Sequence, residues 1–197
     1  MGGSHVLTGE AGAGKTAVLE MIALARPPES GGIELFGEDV GAVAPRDRHA
    51  LRRRIGMIFQ DPRLVDTLSA YDNVALAARA VGRRAADYGK QIDEVLSWVG
   101  LGRQSATVAG DLGDEARRRL AVARAVINRP DVVIADEPAR RGDQAVLRLL
   151  ADLNQTGTAI LLATRDGTLA ASAGPDATHL SRETASWPAG GARERRT

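Results

Sequence analysis

Residues Gly9-Glu10-Ala11-Gly12-Ala13-Gly14-Lys15-Thr16 fit the pattern G-x-x-x-x-G-K-[ST], a loop that wraps the phosphates of a nucleotide. The flanks give the match its weight. His5-Val6-Leu7-Thr8 is short and rich in strand-forming residues, and Thr16 to Ala25 places Val18, Leu19, Ile22 and Ala25 at helical spacing. A strand that runs through a glycine loop into a helix aims backbone N–H groups and a helix dipole at an anion. Gly12 and Gly14 let the backbone approach phosphate where a side chain would stand in the way. Lys15 is expected to reach the β- and γ-phosphates, and Thr16 to offer its hydroxyl to Mg²⁺. An ordinary glycine-rich turn with a surface lysine would need neither the strand nor the helix.

Outward from this loop, strands and helices alternate. Ile33 to Phe36 reads as a strand closed by Gly37-Glu38-Asp39, and with no earlier strand to pair against it is expected to present an open edge. Arg46 to Arg54 carries many basic residues and reads as a solvated face. Ile55 to Phe59 is a buried-type strand that delivers Gln60-Asp61-Pro62 to its C-terminal end, where ligands sit in open α/β sheets. From Ser69 to about Gly102 the pattern is helical, punctuated by Gly82 and Gly89, and Asp114 to Asn128 is a further helix with an acidic start. Val132 to Ala135 is a continuous apolar run, the mark of a central parallel strand. A helix over Gln144 to Leu153, a buried strand over Ala159 to Ala163 and a short strand over Ala177 to Ser181 follow. This is an α/β pattern: a mostly parallel sheet, helices on both faces and a helical insertion. The expected division is a nucleotide-binding core over 1–65 and 129–183, a helical subdomain over 66–128 and a disordered Gly- and Arg-rich tail over 184–197.

Composition narrows the function classes. Lys+Arg 26 against Asp+Glu 25 leaves a net charge of +1, which makes no case for a nucleic-acid partner. The chain has no cysteine, so disulfide frameworks and thiolate metal sites are excluded. No apolar run reaches the roughly 18–20 residues that span a bilayer, and the N-terminus lacks the pattern of a signal peptide. A membrane role is therefore expected to pass through a partner. His5, His49 and His179 show no metal-ligand spacing, and Trp98 reads as a core residue on the apolar side of its helix.

Asp136 and Glu137 end an apolar strand, where an acidic pair is costly to bury without a task. Downstream of a phosphate loop the pair reads as a Mg²⁺ ligand, Asp136, followed by the general base, Glu137. Gln60 is expected to orient the water or complete the magnesium shell.

The loop at Gly9–Thr16, Gln60, the helix containing Ala123-Arg124-Ala125 and the pair Asp136-Glu137 resemble, in this order, the ATP-binding subunits of ABC transporters. The resemblance runs to about Asp166. Arg53 to Asp61 followed by Tyr71-Asp72-Asn73-Val74-Ala75-Leu76 looks most like the cell-division (FtsE) branch, with Ala123 to Pro130 in support; ATPases of lipoprotein release and macrolide export share much of this wording. The resemblance implies a P-loop NTPase that binds MgATP through Gly9, Glu10, Ala11, Gly12, Ala13, Gly14, Lys15, Thr16 and Gln60. Thr16, Gln60 and Asp136 would serve Mg²⁺, and Glu137 would be catalytic. It also implies a homodimer around ATP, an integral membrane partner (an FtsX-like permease) and a cytoplasmic position at the inner face of the plasma membrane.

Four departures from the family pattern bear on turnover. The signature Leu-Ser-Gly-Gly-Gln/Glu, given by the opposite subunit, is replaced by Leu112-Gly113-Asp114-Glu115-Ala116. Two unit charges about 4 Å apart at an effective dielectric near 20 interact by about 4 kcal/mol, here against a γ-phosphate. The same carboxylates are expected to cap their own helix and occupy its anion site. The switch histidine is replaced by Arg165, which cannot shuttle a proton. The D-loop reads Ala139-Arg140-Arg141-Gly142-Asp143, with only Asp143 in pattern. The family's N-terminal strands and adenine-stacking aromatic residue are missing, through truncation or a misplaced start codon. The expectation is an ATPase of low activity, with a nucleotide-binding scaffold as the alternative.

Overall fold

The computed structural model describes residues 2–139, 144–168 and 176–181. In chain order the elements are β1 (Ser4–Thr8), α1 (Lys15–Ile22), β2 (Glu34–Leu35), β3 (Glu38–Asp39), α2 (Arg48–Arg53), β4 (Ile55–Ile58), α3 (Ala70–Ala80), α4 (Gly89–Trp98), α5 (Asp114–Val126), β5 (Val132–Asp136), α6 (Gln144–Gln155), β6 (Ala159–Thr164) and β7 (Ala177–His179). Five strands form one sheet in the order β4-β5-β6-β1-β7, and every pair is parallel. All five therefore open their C-terminal ends on one edge of the sheet. That edge carries the loop after β1, Gln60 after β4, and Asp136-Glu137 after β5.

The apolar runs are two-sided because alternate residues enter different cores. On one face Leu7, Ile134, Leu161 and Ala163 meet Leu19 of α1. On the other, Val6, Ile58, Val133, Ala135, Ile160 and Leu162 join a larger core with α3, α4, α5 and α6. The insertion between β4 and β5 is helical as expected. Ser69 begins α3 with a reciprocal cap, its hydroxyl accepting from the Asp72 amide at 3.0 Å and donating to the Asp72 carboxylate at 2.6 Å.

Several local expectations are corrected. The helix after the phosphate loop stops at Ile22, three residues early, because Leu24 adopts a left-handed φ of 58°. The strand near Ile33–Phe36 pairs on one edge with the segment that follows it, in a two-stranded ribbon separate from the main sheet. Phe36 and Gly37, with φ of 57° and 81°, form a two-residue turn that folds β3 back onto β2. The guanidinium of Arg54 covers the Phe36 ring at 3.8 Å. The basic stretch near Arg46–Arg54 contains the short helix α2, anchored by buried Leu51. Trp98 is 37% exposed rather than core, since Ile92 and Leu96 take the inward face of α4. The 184–197 tail lies outside the described residues, as do residues 140–143 of the D-loop.

Candidate nucleotide site

The loop 9–16 leaves β1 through a turn that only glycine fits. Gly9 has φ of 148°, and a Cβ there would stand 2.2 Å from the Leu180 carbonyl oxygen. Gly14, with φ of 92°, forms the left-handed step into α1, where a side chain would be strained. Glu10, Ala11, Gly12 and Gly14 are exposed along the loop, whereas Ala13 and Lys15 are buried. Lys15 Nζ donates to the carbonyls of Gly9 at 2.6 Å and Glu10 at 3.0 Å. These two bonds satisfy a buried ammonium and hold it at the mouth of the loop.

Thr16 joins the two halves of the site. Its hydroxyl donates to Asp136 Oδ2 at 2.8 Å, across 120 residues of sequence. Asp136 is only 6% exposed and closes β5. The next residue, Glu137, turns sharply away with φ of 43°, a costly conformation for a non-glycine residue and one that gathers at functional sites. Its amide donates to the Ala163 carbonyl at 2.9 Å, and its Oε2 accepts from the Thr164 hydroxyl at 3.3 Å. Arg165 Nε stands 3.1 Å from Glu137 Oε1, close enough for an ion pair but out of line for a hydrogen bond.

Two adjoining hollows, about 810 and 200 Å³, open over these groups. Thr16, Gln60, Asp136, Glu137 and Arg165 border both, and Lys15 with Ala11, Gly12 and Gly14 floors the smaller. The sequence-predicted residues are thus gathered at one edge of the sheet, although Gly9, Glu10 and Ala13 line neither hollow; Gly9 and Glu10 take part through their carbonyl bonds to Lys15. Among the described residues no group of three or more His, Asp or Glu is placed to hold a metal by itself. A hydroxyl and a buried carboxylate beside an open hollow do suit Mg²⁺, a hard ion usually held by one or two carboxylates, phosphate oxygens and water.

The family model described as ABC transporter matches residues 1–140. This chain belongs to the ABC transporter ATP-binding family. It is 37% identical to the cell division ATP-binding protein FtsE of Escherichia coli K12, over 81% of this chain and 74% of that protein. It is 36% identical to FtsE of Mycobacterium tuberculosis over 81% and 71%. The lipoprotein-releasing system ATP-binding protein LolD 1 of Rhodopirellula baltica is 35% identical over 77% and 67%. Among solved structures, the ATP-binding cassette MJ0796, a dimer bound to ADP and phosphate after hydrolysis, superposes with a TM-score of 0.78 at 23% identity, covering 92% of this chain and 82% of that one. That likeness concerns the fold alone.

Leu112–Ala116, expected from the sequence at the signature position, lies at the start of α5. Leu112 is buried, and the cap of α5 is Gly113, which has no side chain to offer. Asp114 and Glu115 follow in the first turn, so they act on the helix dipole by charge rather than as the cap itself. Glu115 lies 3.6 Å from Arg119 one turn on, and Asp114 borders the larger hollow.

Arg124 braces the segment after Gln60 and Asn73 the turn before α3, and motif spacing reveals neither role. Arg124, on α5, donates to the carbonyls of Pro62 and Arg63 just after Gln60. Burial, and then the charge of Arg63, lowers its affinity for a proton below the ordinary guanidinium value. Asn73 is wholly buried, bonding the amide of Val65 and the carbonyls of Val65, Leu68 and Ser69. For Arg124 the available signal is its place between Ala123 and Ala125 on a helix, for such a group needs partners once buried.

Proposed function

We propose that this chain binds MgATP at loop 9–16 and hydrolyses it slowly, as the FtsE-like ATPase of a complex with an FtsX-like membrane protein. The observation that carries this reading is the Thr16–Asp136 hydrogen bond, which joins the phosphate loop to the acidic strand end beside Glu137. Lys15 exchanges its carbonyl partners for β- and γ-phosphate oxygens, and the amides of the loop complete the anion cradle. Thr16, Asp136 and Gln60 would hold Mg²⁺, which when bound would neutralise charge developing on the phosphate oxygens. Glu137 takes a proton from water as its oxygen bonds to the γ-phosphorus, while the bond to the bridging oxygen breaks and leaves ADP.

Two copies are expected to enclose ATP, each presenting the start of α5 to the other's phosphates. Asp114 and Glu115 weaken that enclosure, which is the reason for slow turnover. The membrane-partner assignment rests on similarity to FtsE; no helix among the described residues is long and apolar enough to cross a membrane. A cytoplasmic position at the inner face of the plasma membrane follows from that partner.

Steady-state hydrolysis with Mg²⁺, beside Lys15→Ala and Glu137→Gln, tests the proposal. Turnover lost in both variants, with their folds intact, supports it. A second reading, a nucleotide-binding scaffold without turnover, is favoured by the Arg165–Glu137 contact and by the acidic start of α5. It predicts wild-type turnover no higher than that of the variants, with nucleotide binding retained.

A further inference from the structure

The turn after α3, the first turn of α4 and the end of α5 meet at a corner that holds a hollow of about 510 Å³. Arg83, Asp87, Lys90, Gln91, Asn128 and Arg129 border it, and it shares no residue with the two hollows over the phosphate loop. In a chain whose charges nearly balance, three cations here meet one carboxylate. That carboxylate is engaged elsewhere: Asp87 Oδ2 accepts the Arg84 amide at 3.2 Å and lies 3.6 Å from Arg84 Nε.

Arg83 is built into the corner. Its guanidinium donates to the carbonyls of Ile127 at 3.1 Å and Asp87 at 2.8 Å, and to Gln91 Oε1 at 2.7 Å. All three acceptors are neutral, so the bonds fix the group without cancelling its charge. They use three of its five N–H donors and leave two for a ligand. Gln91 and Asn128 give their amide nitrogens to the carbonyls of Ile127 and Ala77. Arg129, in a left-handed turn with φ of 52°, is exposed and pairs with no carboxylate among the described residues. Lys90 is also exposed and has Glu94 at 3.7 Å one turn on, a contact of little worth in water. Like charges around one hollow repel, and an anion relieves that repulsion. A phosphate suits the corner better than a carboxylate, because it is compact, carries more charge and offers more acceptor oxygens to a guanidinium.

We propose that this corner is a second anion site, which takes a phosphate group and holds it through Arg83, Lys90 and Arg129. The phosphate belongs to a lipid headgroup or to a small soluble ester. The inference is independent of the nucleotide-site reading.

Two measurements on the full chain test it. Amide NMR shifts are followed as glycerol 3-phosphate is added, and co-sedimentation is measured with vesicles of phosphatidylglycerol in phosphatidylcholine, beside phosphatidylcholine alone. Saturable shifts at residues 87–91 and 128–129, or sedimentation that requires phosphatidylglycerol, are expected. The first alone assigns the phosphate to a soluble ester, and the second alone to a lipid. Either response should weaken about tenfold or more when Lys90→Gln and Arg129→Gln are combined. Lys15→Ala should leave it within about twofold, which separates this site from the phosphate loop. Thermal melts confirm that each variant folds. Neither response, a response that survives the double substitution, or one lost in Lys15→Ala would overturn the proposal, whatever nucleotide titrations show. So would binding of an aspartate-rich peptide at this corner where both phosphate probes fail.

Discussion

Two helices begin at the edge of the same cleft, and they treat their N-terminal charge in opposite ways. At α1 the cap is Gly14, no acidic residue stands in the first turn, and an exposed glycine loop leads into it. At α5 the cap is Gly113, and Asp114 and Glu115 fill the first turn. Both ends offer the same partial positive charge. The first leaves it to a ligand, while the second answers it with carboxylates of the chain itself. A helix N-terminus is thus a binding site only where the sequence keeps it free of its own anions.

The contrast is broken most completely at α1. Lys15→Ala removes the one buried cation of the loop and is expected to weaken MgATP binding by about a hundredfold or more, read by equilibrium titration. Next comes the turn that leads into α3. Asn73→Ala leaves the Val65 amide and three carbonyls without their buried partner. A loss of about 1–3 kcal/mol is expected, with a melting temperature lower by roughly 2–4 °C for each kcal/mol. The smallest effect sharpens the contrast at α5. Asp114→Ser with Glu115→Gly removes the first-turn charges, and chemical denaturation should show a loss of about 0.5–2 kcal/mol. A gain in stability there would mean that the carboxylates do not support the helix.

Hydrophobic periodicity alone makes the sheet legible. Val132 to Ala135 and Ala159 to Ala163 are apolar on both faces, and the structure pairs them in parallel. The loop 9–16 is legible because its chemistry depends on residue types at fixed spacing. What periodicity misses is a change of backbone sign at a non-glycine residue. Phe36 and Leu24 both take positive φ, which folds the expected strand into a two-stranded hairpin and ends α1 early. Trp98 escapes the pattern because an apolar residue at the end of a helical stripe can lie just past the buried face. The Arg165–Glu137 contact joins residues on two different strand ends, and only the sheet order brings them together.

The central claim is that this chain holds an open phosphate site at α1 and a self-filled one at α5, and that the second limits the first. Steady-state ATP hydrolysis by the Asp114→Ser, Glu115→Gly variant, measured beside wild type at matched concentration, tests it most directly. The account predicts a rise of about tenfold or more, equivalent to about 1.4 kcal/mol of repulsion removed from the enclosed phosphates. An unchanged or lower rate in a folded variant would contradict it.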